Sequence, residues 1–435
     1  MPPIEIVPTL AVMLFAGLIF AFVQTRFSPA EARLIGLSLV AHVLSAFVQL
    51  WLVFSVYGRG DLMMYHQYGT DLSDAMRSDP AGVVPQVLWV LLQQPHKLSV
   101  FVPAEGSPTA TMVALTACAN FILSDSLIAV SVAFAIASFL GKLVLYQAFR
   151  ESTPRELHLP ILAGVVLVPS AVFWSAGIIK EAVAMSGIGL FVLGLHRTLQ
   201  RHRLAPAVAV AGSLIVGLVK PYILLVLLGA SGVYVYTHRA ARSGRLEFRP
   251  VALVLGAIVA LAGVLAVGEL FPRFSIERLG SETARMQAAA FNPKGGSTYV
   301  IGDPSQRLVL GQLAFAPQAL FTGLFRPLII ESRNAMMVVN GLETTGLLAL
   351  SAFAVWRRTP RQMWRITVRY PILTLCLAFV VVFGVAVGLT SANLGTLSRY
   401  RMPLIPFLVT ILVVLSAPDR PRSARAAPEG ARGAA

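Results

Sequence analysis

The sequence predicts an all-α polytopic membrane protein, a bundle of about 11 transmembrane helices with interfacial helices on its outer face. Three observations predict it. Of 435 residues, 56% are hydrophobic and only 13% are charged, where a soluble protein carries roughly 25%. The apolar residues fall in runs close to the ~20 needed to cross a hydrocarbon core. The basic residues sit in short loops at alternate connections between those runs.

In chain order the runs lie at 8–25, 34–57, 126–149, 159–176, 182–196, 204–219, 222–237, 250–270, 336–356, 370–390 and 403–417. The first, with residues 1–32, reads as an additional N-terminal helix with no basic residue before it and no small-residue cleavage site after it. The core domain spans 33–417, with large outer loops at 58–124 and 271–335. In the first loop, 83–92 is too short to cross and reads as an interfacial helix bounded by prolines. A second stretch, 112–123, ends at Ser124-Asp125, a candidate cap for the third span. The second loop holds a charged amphipathic piece, 275–287, turn-rich segments at 292–296 and 302–304, and an apolar stretch, 315–330, broken by Pro317 and Pro327. Residues 418–435 form an Ala/Pro/Arg-rich tail, expected to be disordered.

Lys and Arg distribution sets the orientation. Arg26 and Arg33, Arg150 and Arg155, Arg197 to Arg203, Arg239 to Arg249, Arg357 to Arg369 and the tail arginines follow the first, third, fifth, seventh, ninth and last spans. Those connections are expected on the cytoplasmic side, with the N-terminus outside and the C-terminus inside. Asp61, Lys180-Glu181, Lys220 and the segment Ser398-Arg399-Tyr400-Arg401 then share the outer side. Cations retained there against the positive-inside bias call for an anion.

Several function classes are disfavoured. The net charge of +15 is spread through loops as a topology signal, so no nucleic-acid partner is expected. Cys118 and Cys376 lie far apart in apolar surroundings and suggest neither a disulfide nor a metal site. There is no zinc-type His/Cys spacing, no phosphate-binding glycine loop and no internal repeat. Richness in Ala, Arg, Gly and Pro suggests a GC-rich bacterial genome, hence a multi-pass protein of the bacterial inner membrane.

Four stretches together resemble the GT-C integral-membrane glycosyltransferases, in particular the protein-mannosyltransferase and aminoarabinose-transferase branch (glycosyltransferase family 39-like). They are Gly60-Asp61 with Tyr65; Asp125-Ser126-Leu127-Ile128-Ala129; Pro169-Ser170 with Phe173-Trp174-Ser175 and Lys180-Glu181; and Ser398-Arg399-Tyr400-Arg401-Met402-Pro403. The likeness covers the architecture of most of the chain, and each motif alone is short. The acidic loop follows the second span here rather than the first, and Leu62 stands where the family often has a second acidic residue.

The resemblance implies a sugar donor carried on a polyprenyl phosphate or diphosphate, used at the outer face, with a glycan, lipid or protein acceptor. Such a transfer needs a carboxylate to take the acceptor proton, and Asp61 fits. It needs cations for the leaving phosphate. Arg399 and Arg401 are the first candidates, expected on one face of an extended segment before Pro403 and Pro406. Lys180, Lys220, Glu181, Tyr65, His66 and Tyr400 complete the expected substrate-binding set. Each has a plainer reading: Lys180-Glu181 as a structural ion pair, Lys220-Pro221 as a helix break, His66 as a loop hydrogen bond, the tyrosines as interface anchors. Arg326 and Arg333 are outer cations within reach of a headgroup. Glu343 is either a buried hydrogen-bonded group or part of an acceptor cavity, and Lys142 is expected to snorkel towards the cytoplasm. A cofactor is not legible; a divalent cation near Asp61 stays open. Two rivals share many of these features: a polysaccharide polymerase acting on lipid-linked repeat units, and a lipid-linked glycan transporter or flippase. The last predicts inverted repeats and mid-membrane ionisable groups.

Overall fold

The computed structural model describes residues 3–58, 60–243, 285, 298–299, 301 and 314–418. The run at 250–270, the pieces at 275–287, 292–296 and 302–304 and the tail beyond Pro418 lie outside the described residues, Arg285 excepted. Within them the regular elements are helices, and the one β feature is an isolated antiparallel bridge between Thr298 and Asn393.

The helices are α1 Pro3–Gln24, α2 Pro29–Leu52, α3 Asp61–Ser78, α4 Pro80–Leu91, α5 Pro108–Ile122, α6 Leu127–Ser152, α7 His158–Val166, α8 Pro169–Phe173, α9 Lys180–Leu199, α10 Ala205–Val219 and α11 Pro221–Arg242. After the gap come α12 Ala316–Phe325, α13 Ala335–Arg357, α14 Pro360–Arg369, α15 Ile372–Thr390, α16 Leu394–Arg401 and α17 Ile405–Ser416. Eight stretches among them are long and apolar enough to cross a membrane: Glu5–Gln24, Pro29–Val56, Leu127–Ser152, Lys180–Leu199, Pro221–Arg242, Met336–Arg357, Ile372–Thr390 and Leu394–Ser416.

Three of the expected spans differ. The run at 159–176 is broken into α7 and α8, because Val168 precedes Pro169 and takes the extended conformation that a pre-proline residue prefers. The run at 204–219 is the 15-residue helix α10. The last span begins earlier than expected, at Leu394, since α16, a short 3₁₀ turn Met402–Leu404 and α17 follow one another directly. The apolar piece at 83–92 is α4, whose Val87 and Val90 are buried while Leu88 and Trp89 face outward.

Capping fixes several ends. Ser28 and Glu31 form a capping box at α2, and Glu31 also binds Tyr146 and Arg150, tying α2 to α6. The cap of α6 is Ser126, not Ser124-Asp125, whose residues both take positive φ in the preceding turn. Glu5 on α1 supports that cap, accepting from Ser126 Oγ at 2.5 Å and from the Leu127 and Ile128 N–H groups at 3.3 Å.

Close packing rests on small residues, as expected where lipid gives helices little hydrophobic reason to associate. A Cβ on Gly189 of α9 would run into the Gly141 carbonyl of α6, and one on Gly212 of α10 would meet the α9 backbone at Phe191. The backbone therefore comes into contact on both sides of α9, and α9 carries two residues of the site.

Ion pairs lie at both ends of the bundle. At one end Glu31 meets Arg150, and Glu151 meets Arg197 at 2.6 Å. At the other, Arg77 of α3 reaches Asp125 at 2.5 Å, and the motifs singled out in the sequence come together.

Candidate functional site: an ion cluster at one end of the bundle

Asp61 opens α3, and its side chain is about half exposed (48%). A carboxylate in the first turn of a helix is favoured by the partial positive charge of the free N–H groups there. Its Oδ2 lies 3.0 Å from Arg399 Nη1. The rest of the Arg399 fork is spent on Glu181 of α9: Nε donates to Oε1 at 2.9 Å and Nη2 to Oε2 at 3.0 Å. Lys220 Nζ donates to the same Glu181 Oε1 at 2.8 Å. Glu181 is fully buried and Lys220 nearly so. Asp61, Arg399, Glu181 and Lys220 thus form one chain of charges drawn from four places in the sequence.

Lys180 stands beside this chain. Its Nζ donates to Thr109 Oγ1 at 3.0 Å and lies 5.9 Å from the centre of the Tyr65 ring. Lys220 lies over Tyr400 (4.8 Å) and Tyr222 (5.6 Å). Burial, and next the Asp61 charge, raise the Tyr65 phenol above its usual value, so it stays protonated. The cluster counts three cations (Lys180, Lys220, Arg399) against two carboxylates (Asp61, Glu181), one positive charge in excess.

Local sequence explains the placement. Val219-Lys220-Pro221 ends α10 and starts α11, leaving Lys220 as the N-cap with a non-helical backbone. The turn before Lys180 runs inside the bundle. Gly177 takes a positive φ of 93° there, and a Cβ would sit 3.1 Å from Gln49 Oε1. Gln49 also donates to the Phe173 carbonyl. Lys142 is fully buried rather than snorkelling: its Nζ donates to the Ala171 carbonyl (2.7 Å) and Ser175 Oγ (2.7 Å) and meets His42 Nε2 at 2.9 Å. His42 Nδ1 contacts the Ser38 carbonyl at 2.7 Å, which puts the ring proton there and leaves Nε2 to accept from Lys142. Non-helical backbone at this depth needs such partners, because water does not supply them.

The structure brings together Asp61, Tyr65, Lys180, Glu181, Lys220, Arg399 and Tyr400. It does not bring in His66 or Arg401. His66 is half-buried towards Asn120, whose amide donates to its carbonyl, and burial lowers its imidazole pKa below the usual value. The segment carrying Arg399 and Arg401 is the helix α16, not an extended strand-like run, so residues two apart point away from each other. Arg401 turns into the bundle, and Nη1 donates to the Arg326 carbonyl at 2.6 Å. Arg326 is itself paired with Glu331 at 2.5 Å, while Arg333 is exposed. Glu343 is a hydrogen-bonded group: it accepts from the Ser170 N–H at 2.7 Å and from the Ser170 hydroxyl, capping α8.

Thr109, Tyr222, Gln49 and the latching role of Lys142 were not legible in the sequence. No motif marks a threonine after Pro108 as the partner of a lysine 71 residues away. Among the described residues no group of three or more His, Cys, Asp or Glu side chains could hold a metal ion. The cation facing Asp61 is Arg399.

Fold and site define a class: among the described residues, a helical protein with several helices long and apolar enough to cross a membrane and a buried ion cluster that opens at one end through Asp61. Compared with known proteins, the chain matches no family model, no curated protein and no solved structure.

Proposed function

We propose that this chain is an integral-membrane glycosyltransferase of GT-C type. It moves a sugar from a polyprenyl phosphate or diphosphate to a glycan, lipid or protein acceptor at the extracytoplasmic face of a bacterial inner membrane. The observation that carries the reading is the half-exposed Asp61 carboxylate held over a buried cluster with one positive charge in excess.

The chemistry divides over the residues as follows. The acceptor hydroxyl forms a C–O bond to the anomeric carbon and passes its proton to Asp61. Asp61 Oδ2 is on Arg399, which leaves Oδ1 to receive it. The bond between the anomeric carbon and the phosphate oxygen breaks, and its electron pair stays on the phosphate. Lys180 stabilises that growing charge, because its ammonium has one hydrogen bond, to a neutral hydroxyl, and two N–H groups to spare. All three Arg399 nitrogens are engaged by carboxylates, so Arg399 holds Asp61 and Glu181 in register rather than gripping the phosphate alone.

The test is replacement of Asp61 by Asn and of Lys180 by Gln, scored by glycan product in cells at matched protein level. Loss of product in both with normal membrane insertion supports the reading; wild-type output from both removes it. One observation favours the transporter reading instead. The Lys142–His42 pair lies midway along α2 and α6, beside the broken α7–α8 segment, and transporters use both features. Against it, the three acceptors on Lys142 satisfy its ammonium fully, as in a structural tie.

A further inference from the structure

Arg401 is 0% exposed, and of its three nitrogens only Nη1 makes a hydrogen bond; Nε and Nη2 are enclosed without a partner. A buried guanidinium left this way is costly, and buried polar groups without partners are rare enough to require a cause. Two buried hydroxyls adjoin it. Tyr299 Oη and Ser391 Oγ face each other, with no other partner for either among the described residues, and the charges of Arg401 and Arg326 reach Tyr299. Arg326 stacks on the Tyr299 ring at 5.2 Å and gives its carbonyl to Arg401. The Tyr299 N–H is tied to the Ala392 carbonyl at 3.0 Å, which holds the phenol beside Ser391. Glu343 is the carboxylate whose charge reaches Arg401, but Ser170 occupies both its oxygens.

We propose that Arg401, Tyr299 and Ser391, backed by Arg326, form a second anion site that takes a phosphate group, whether on a lipid or free. It is distinct from the Asp61–Arg399 cluster. The donors left over are two adjacent guanidinium nitrogens and, since the two hydroxyls share one contact, one O–H, a set that suits the several oxygens of a phosphate. The inference stands on the orphaned donors and does not require the transferase reading.

The experiment is native mass spectrometry and thermal unfolding of the full chain in detergent, with polyprenyl phosphate, the matching polyprenol and inorganic phosphate as probes. Polyprenyl phosphate is expected to bind and polyprenol not to compete. One bound equivalent should survive Lys180→Gln, weaken about tenfold in Tyr299→Phe and in Ser391→Ala, and be lost in Arg401→Met. Stabilisation by inorganic phosphate that depends on Arg401 would support the phosphate site and make the free anion its occupant. Tyr299→Phe and Ser391→Ala are small changes that keep the test open if Arg401→Met fails to fold. Lipid binding lost in Lys180→Gln but unchanged in both mild variants would overturn this site and leave the transferase reading standing. A melting temperature unmoved by either phosphate probe would also overturn it.

Discussion

Asp61 and Glu181 are both carboxylates on Arg399, yet their surroundings assign them opposite jobs. Glu181 is fully buried, with Arg399 on both oxygens and Lys220 on one. Removing its charge leaves Lys220 without a counter-charge inside the bundle and Arg399 with only the half-exposed Asp61. Glu181→Gln is therefore expected to cost about 3 kcal/mol or more, read as a lowered midpoint of thermal unfolding in detergent. Asp61 is half exposed, and solvent screens its tie to Arg399. Asp61→Asn should leave the unfolding midpoint within experimental error while product formation falls at least about a hundredfold, the scale of a lost general base. If Asp61→Asn destabilises the protein as strongly as Glu181→Gln, Asp61 is a structural partner and not the base. Sequence could nominate these residues, because ionisable groups beside apolar runs stand out. It could not separate the two roles, which depend on how much water each oxygen meets. Arg401 shows the same limit: the chemistry of the side chain was evident, but its direction depended on α16 being a helix.

The element that needs most explanation is the break from Val166 to Lys180. Proline at 169 predicts an interruption, and the sequence expectation still ran one span through it, because 159–176 is apolar throughout. The turn after α8 is stabilised by side chains from α2 and α6, Gln49 and Lys142, which no local pattern reveals. A snorkelling lysine and a latching lysine look alike in sequence; only the neighbouring helices decide. Lys142→Met removes three hydrogen bonds and leaves the Ala171 carbonyl and His42 Nε2 without a donor from that side. An expected loss of about 2 kcal/mol in stability follows, with reduced product, since the turn leads directly into Lys180 and Glu181. The diagnostic measurement is amide hydrogen exchange: faster exchange confined to residues 171–180 fits a latch, whereas no local change would exclude one. Gly189→Leu acts on the other side of the same element. It forces α9 away from the Gly141 backbone and should lower stability by at least about 2 kcal/mol. Seven of the eight long stretches, by contrast, were legible, because length and apolarity specify them; the last was read only from 403, since the polar sequence of α16 hides its start.

At the scale of the whole molecule, the charged groups outside the Lys142 latch sort by end. Glu31–Arg150 and Glu151–Arg197 lie with the arginine-rich turns, as do the Arg358 bonds to the carbonyls of Leu415 and Ala417. The short helix α14 belongs with them: Arg361, Trp364 and Arg365 are exposed on it, while Thr367 and Val368 pack inward. An amphipathic helix with tryptophan and arginine outward suits the surface of an anionic leaflet. The opposite end carries Asp61 and the cation excess. If the arginine-rich end faces the cytoplasm, the ion cluster faces outward, where the proposed donor would be used. Single cysteines test the orientation, because Cys376 is buried and Cys118 half-buried. Ser99 is exposed in the connection between α4 and α5, on the Asp61 side, and His202 is exposed in the turn between α9 and α10, on the other. A membrane-impermeant maleimide applied to intact spheroplasts should label Ser99→Cys and spare His202→Cys until the membrane is opened. Labelling in the reverse order would put Asp61 in the cytoplasm and remove the extracytoplasmic transferase, while leaving the bundle and its ion cluster as described. A nucleotide-linked donor, available on that side, would then be the chemistry to test.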